Sequence, residues 1–269
     1  MQVSLAMAGR RWRADLTHAV DIAIPLSFDG AQPSFFGAPP AHAQPLRAGG
    51  FCGEVRTGAS CNCATYSLTP HCNGTHTESV GHITAEINSV HALVQEALLP
   101  AQLVTVPVTS GEELDAISHA DDLLITQRAL QTVCGGAPAS GIRALVVRTL
   151  PNPLAKRSWK YGDERPAPYF TTAAMHWIVA SGIDHLVVDV PSLDRSDDGG
   201  HLLCHRIFWG ATPRANPTFA ATRPHATVTE LAYIPDAVPD GIYLLNLQIA
   251  PFVADAAPSR PLLYPAVTE

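Results

Sequence analysis

The densest chemistry in the sequence lies in one stretch, Pro70-His-Cys-Asn-Gly-Thr-His-Thr-Glu-Ser-Val-Gly-His82. His71, His76, Glu78 and His82 fall within twelve residues. Imidazole and carboxylate groups suit Zn²⁺ and Mn²⁺. In an extended segment, positions i and i+2 face the same way, so His76 and Glu78 can point at one ion. Gly74 permits a turn or bulge that brings His71 round to join them. A polar loop whose histidines cap turns would account for any one of these residues alone. Together, beside a Gly-Thr turn, they favour a metal site over that reading.

The flanking elements must position this stretch. Val3–Ala8 and Trp12–Leu16 read as a hairpin around Gly9-Arg10, and residues 19–26 as a further strand. Residues 27–50 form a long Gly/Pro/Ala-rich loop, in which Phe28, Phe35 and Phe36 either line a pocket or anchor the loop to the core. Ser60–Leu68 reads as a strand. Glu86–Leu99 has helical spacing that Pro100 ends, and Leu103–Val108 is a short apolar strand. Ser110-Gly-Glu-Glu113 looks like a capping box opening a helical segment, and Asp121–Cys134 like another short helix. Ile142–Thr149 and His185–Val190 are buried strands, with a helix over Thr171–Ser181 between them that Gly182 ends. That unit is a βαβ crossover. Residues 211–226 are a loop, and Thr227–Ile234 and Gly241–Ile249 two more strands.

Composition narrows the function classes. The chain has 269 residues, 46% of them apolar and 15% charged, which fits a folded domain. The formal charge is −7, and no basic run stands out beyond Arg10-Arg11-Trp12-Arg13, which argues against a nucleic-acid partner. No apolar run reaches the roughly 18–20 residues of a membrane span. Met1–Ala8 lacks the basic and apolar regions of a signal peptide, so the expectation is a cytoplasmic protein. The Asn73-Gly74-Thr75 sequon then carries no weight. The six cysteines contain no C-x-x-C pair and read as reduced thiols, with Cys61-x-Cys63 a lesser metal option. No G-x-S-x-G elbow, dinucleotide loop or Walker loop is present. Nothing marks a domain boundary, so residues 1–269 are expected to form one domain. The pattern by itself supports a mixed α/β fold.

The His71–His82 stretch resembles the H-x-G-T-H-x-D-x-P-x-H signature of the cyclase family, which contains metal-dependent kynurenine formamidases and isatin hydrolases. Further landmarks follow in order. Asp15-Leu-Thr-His18 is similar to the family's early D-[LI]-[ST], and Ala144–Thr149 to its L-x-R-T strand. Gly182–Asp194 resembles its G-[IV]-x-x-[IV]-G-[IL]-D-T-P-S-[IV]-D segment, His205-Arg-Ile-Phe-Trp209 its H-R-x-L-L, and Thr229-Glu230-Leu231 its E-[NG]-L. The chain departs from the signature in three ways. Asn73 is inserted, so His71 and His76 are five apart; Glu78 replaces an aspartate; and Val80 replaces the proline.

The resemblance implies a single-domain α/β fold with a mixed β-sheet core and flanking helices. It implies a centre of one or two Zn²⁺ or Mn²⁺ ions. His71, His76 and Glu78 would bind the first, and Glu78 would bridge to a second completed by His205 and Glu230. His82 would be the catalytic proton-transfer residue. His201 competes with His205 for its place, and the Arg-Ile-Phe-Trp that follows favours His205. Asp189 and Asp194 would support a strand end. The implied activity is hydrolysis of a C–N amide bond, in an arylformamide of tryptophan catabolism or in a cyclic amide. The small-molecule substrate would be met by a homo-oligomer, a dimer or larger. A non-catalytic metal- or ligand-binding protein of the same fold, or a lactone hydrolase or cyclase, is the alternative.

Overall fold

The computed structural model describes residues 1–7, 9–115, 117–211 and 221–268. The chain opens with the expected hairpin: β1 (Gln2–Met7) and β2 (Arg10–Asp15) pair antiparallel, Leu5 opposite Trp12. Trp12 and Ala14 are buried while Arg11 and Arg13 face out, the period-2 pattern of a half-buried strand. Only β3 (Val20–Asp21) and a bridge from Ala23 to Ala232 form in the 19–26 region. Two small ribbons follow, β4 (His42–Pro45) with β7 (Ala64–Ser67) and, between them in the chain, β5 (Arg47–Ala48) with β6 (Phe51–Cys52). The short helix α1 (Pro70–Asn73) and strand β8 (His76–Glu78) then carry the chain inward.

The second half builds the scaffold. In order come β9 (Leu99–Pro107), β10 (Leu124–Ile125), α2 (Gln127–Val133), β11 (Ala144–Leu150), β12 (Tyr169–Phe170) and α3 (Thr172–Ala180). They are followed by β13 (His185–Val188), α4 (Leu203–Trp209), β14 (Thr227–Glu230), β15 (Gly241–Ile249) and β16 (Ala256–Thr268). Strands β9, β11, β13 and β14 are parallel neighbours. They read as nearly continuous apolar runs because both of their faces are covered. Leu145, Val147, Leu186, Val188 and Val228 pack on one face against α2, α3 and α4, through Leu130, Met175, Ile178, Phe208 and Trp209. Ala144, Val146 and Val187 turn to the other face, against Leu103, Leu245 and Ile22.

The sheet runs β1-β2-β16-β15-β9-β11-β13-β14-β8, and β8 returns to pair with β16, so the seven strands from β16 to β8 close a ring. The β11–α3–β13 crossover forms as the sequence pattern predicts. Thr171 caps α3 by accepting from Ala174 N at 3.2 Å, and Gly182 leaves the helix at φ +76°, a conformation that favours glycine.

Three predicted elements differ. The 86–99 segment holds only a 3-10 turn at Val90–Ala92, because Val90 is drawn into the core with its N–H on Ala254 O and Leu99 already belongs to β9. The 121–134 helix begins only at Gln127, after β10. Glu113, read as part of a capping box for its own helix, instead caps α2, accepting from Gln127 N at 2.8 Å and Arg128 N at 3.1 Å. Strand β16 and helix α4 had no predicted counterpart. Of the expected 211–226 loop, residues 212–220 lie outside the described residues. No helix among the described residues is long and apolar enough to cross a membrane.

His185 opens β13 at 2% exposure, its Nδ1 2.9 Å from Thr227 Oγ1. Burial, helped by Arg143, pushes its pKa down to about 4. The unfolded chain binds this proton near 6.5, so the stability held by neutral His185 is complete above that pH and is lost as pH falls towards 4. Chemical denaturation of the wild type and His185→Gln between pH 7 and 4.5 should show the wild type losing about 2–3 kcal/mol more. Parallel pH profiles would contradict a buried neutral His185.

Candidate metal centre

Strand β8 is three residues long and is paired on both sides. Glu78 lies opposite Val228 of β14 and Ala256 of β16, and His76 opposite Glu230 and Pro258. Its register places His76, Glu78 and Glu230 on the helix-bearing side with Val228, while Thr77 turns away to meet Thr229 Oγ1 at 2.8 Å. His76 and Glu78 are fully buried. His76 Nδ1 donates to Gly74 O at 3.0 Å, which leaves Nε2 as a free lone pair 3.5 Å from Glu230 Oε2.

The extra residue in the motif is absorbed by α1. Asn73 is buried; its Oδ1 accepts from Thr69 N at 2.6 Å and its Nδ2 donates to Pro39 O at 3.0 Å. The insertion therefore neither bulges outward nor removes His71 from the group. His71 Nδ1 stands 2.8 Å from Glu78 Oε2, and its Nε2 stands 3.0 Å from Asp255 Oδ2.

Helix α4 delivers His205. Asp194 sits at its N-terminus, accepting from Cys204 N at 2.6 Å and His205 N at 3.2 Å. The same carboxylate accepts from His205 Nδ1 at 2.5 Å and so turns Nε2 onto Glu78 Oε1, 2.9 Å away. His201 is exposed and lies outside the group. Glu230 Oε1 accepts from Leu193 N at 3.0 Å and lies 3.5 Å from His205 Nε2. Leu231 follows at φ +53°, a strained conformation for leucine, held by the Thr75 hydroxyl donating to its carbonyl at 2.5 Å. His82 lies at the rim, its ring centroid 4.2 Å from that of His71 and 5.5 Å from that of His205.

The sequence-derived residues His71, His76, Glu78, His82, His205 and Glu230 thus converge from α1, β8, the 3-10 turn Val80–Ile83, α4 and β14. Two neighbours were not foreseen in these roles. Asp194 was read as support for a strand end, yet it orients His205. Asp255 belongs to no motif. Asp189 keeps the structural role expected of it, accepting from Thr149 N at 2.8 Å and pairing with buried Lys156 at 2.7 Å. Phe35 anchors its loop in a cluster with Tyr161 and Leu231, while Phe36 is exposed and Phe28 packs on Tyr66. All six cysteines are free thiols, as expected.

Burial disfavours charge at Glu78, His205 and His71, and opposite partners overcome it. Despite full burial, Glu78 is held well below the usual carboxylate range by His82, His205 and His71. Burial is likewise outweighed at His205, which Glu78 and Asp194 raise well above the ordinary imidazole value. At His71, Glu78 and Asp255 prevail over burial and raise the pKa to about 9.

The donor set fits a divalent cation. His76 Nε2 and Glu78 Oε2 are buried without a hydrogen-bond partner, although donor or acceptor atoms stand within 2.8–3.5 Å of both. Ligand atoms at about 2.0–2.1 Å from a tetrahedral ion lie about 3.4 Å from one another, so atoms gathered within a few ångströms of one another can share an ion. Three groups of three have ligand atoms all within 4.8 Å: His71–His76–Glu78 and Glu78–His82–His205, which share Glu78, and His71–His82–Asp255. Nitrogen and carboxylate ligands of this kind suit Zn²⁺ or Mn²⁺.

Comparison with known proteins places the fold. An isatin hydrolase bound to the product analogue thioisatinate is similar at a TM-score of 0.61 and 16% identity, over 92% of each chain. Isatin hydrolase A from Labrenzia aggregata, bound to benzyl benzoate, gives 0.61 and 16% over 94% of each chain. A predicted metal-dependent hydrolase from Bacillus stearothermophilus gives 0.58 and 16%, over 92% of this chain and 98% of that one. No curated protein matches the sequence. The family described as "Putative cyclase" matches residues 14–195, a span that holds the His71–His82 stretch and Asp194. With two thirds of its length inside that match, and with the fold that the solved structures share, the chain belongs to the cyclase family.

Proposed function

We propose that this chain is a metal-dependent hydrolase of a C–N amide bond, with a cyclic amide fused to an aromatic ring as first substrate class and arylformamides as the second. The observation that carries the reading is buried His76 Nε2, without a hydrogen-bond partner, in a group where His71, Glu78, His205 and Glu230 present further imidazole and carboxylate ligands. The likeness of fold to isatin hydrolases supports the choice of substrate class.

His71, His76 and Glu78 would hold one Zn²⁺ or Mn²⁺, and Glu78, His205 and Glu230 a second. When bound, such an ion polarises a carbonyl and brings the pKa of a water towards ~7. The chain's own residues do the rest. Asp194 keeps His205 in the tautomer that presents Nε2 to the centre. His82, partly exposed at the rim, has a ring nitrogen within 4.8 Å of ligand atoms of Glu78 and His205. It accepts a proton from the attacking water and passes it to the leaving nitrogen as the C–N bond breaks. Hydroxide thus ends on the carbonyl carbon and the proton on nitrogen, which completes the hydrolysis.

Two measurements test this. Elemental analysis of protein purified without chelator or affinity metal should find about one to two equivalents of Zn²⁺ or Mn²⁺. Glu78→Ala should remove most of that metal and all turnover of isatin-type amides; unchanged metal content in this variant would sink the assignment. For His82→Ala, the metal content should stay at the wild-type level while kcat falls about 10²–10⁴-fold. Parallel loss of metal would make His82 a ligand instead of the proton carrier.

A further inference from the structure

One carboxylate beside the centre has no counterpart in the motif. Asp255 lies 184 residues from His71 in sequence, immediately before β16. Its Oδ2 is 3.0 Å from His71 Nε2 and 3.7 Å from His82 Nδ1. The sheet fixes its place: its carbonyl accepts from Ser79 N at 2.9 Å, and the next residue, Ala256, sits opposite Glu78.

An imidazole that ligates a cation through one nitrogen carries its proton on the other. The acceptor of that proton sets both the tautomer and the rotation of the ring. His76 finds this acceptor in Gly74 O, and His205 finds it in Asp194. His71 has the greatest need of one. The inserted residue places it on a four-residue helical turn instead of a strand, and its side chain is 24% exposed where those of His76 and His205 are at most 2%. Asp255 meets that need from the outer side, while Nδ1 stands 2.8 Å from Glu78 Oε2 on the inner side.

We propose that Asp255 is a positioning residue: it accepts the Nε2–H of His71 and so keeps Nδ1 turned towards Glu78, which lets the widened His71–His76 spacing still deliver a ligand. The inference rests on the metal-centre reading given above. Asp255 is itself 41% exposed, so its replacement leaves the core intact.

The test is calorimetric titration of Zn²⁺ into metal-free wild type, D255A, D255N, H71A and H71A/D255A, with thermal unfolding of each metal-free protein. D255A should bind about 10–100-fold more weakly than wild type and melt with it. D255N, whose amide oxygen accepts the same proton, should recover most of the affinity. The double variant should bind no more weakly than H71A, since Asp255 acts only through that ring. Wild-type affinity in D255A, or an equal further loss in the H71A background, would overturn the assignment. So would a D255N as weak as D255A, which would make the carboxylate a ligand in its own right. A wild type that takes up no Zn²⁺ would overturn the metal-centre reading, and the role of Asp255 with it.

Discussion

The structure turns on charge placed where water does not reach. Glu78, Glu230 and Asp194 are all buried, within one group of side chains. Removing a carboxylate from water costs several kcal/mol unless partners replace its hydration. Here each is met by imidazole or backbone N–H: Glu78 by His71 and His205, Asp194 by His205 and two helix N–H groups, Glu230 by Leu193 N. The histidines are costly to bury charged and the carboxylates are costly to bury alone. Each kind makes the other tolerable, and the lone pairs that both can offer are what a divalent cation would take.

Holding such a group requires a frame with little freedom. Strand β8 is bonded on both edges, so His76 and Glu78 have no loop motion of their own. The end of β13 is fastened by the buried Lys156–Asp189 pair, and five residues later Asp194 seats α4 and its histidine. The apolar parallel strands supply rigidity but no ligands except Glu230. The polar ligands come from short elements at the edges of that apolar block.

Much of this is legible in the sequence, for a physical reason. His71, His76, Glu78 and His82 are dense along the chain, and the extended period of two puts His76 and Glu78 on one face whatever surrounds them. The buried strands at 144–150 and 185–188 are legible because continuous β-branched runs admit little else. Asp255 is not legible, since its use depends on β16 meeting β8 across most of the chain. The 86–99 segment shows the converse. Its helical spacing is real, but Val90 and Leu99 gain more from the core than the segment gains from local hydrogen bonds. Asn73 was visible as an insertion, and only the close bond from Thr69 N to its side chain explains why the histidine before it keeps its place.

Strand β16 bonds to β8, β15, β3 and β2. Glu78 finds its neighbour Ala256 only across about two thirds of the sequence, and Trp12 finds Thr268 across nearly all of it. Pairings of such long separation are made late, because loop closure must be paid for before they return any stabilisation. During synthesis the parallel strands can condense with their helices while the ring stays open. The ring therefore closes late in folding, when β16 comes to lie beside both β8 and the first hairpin.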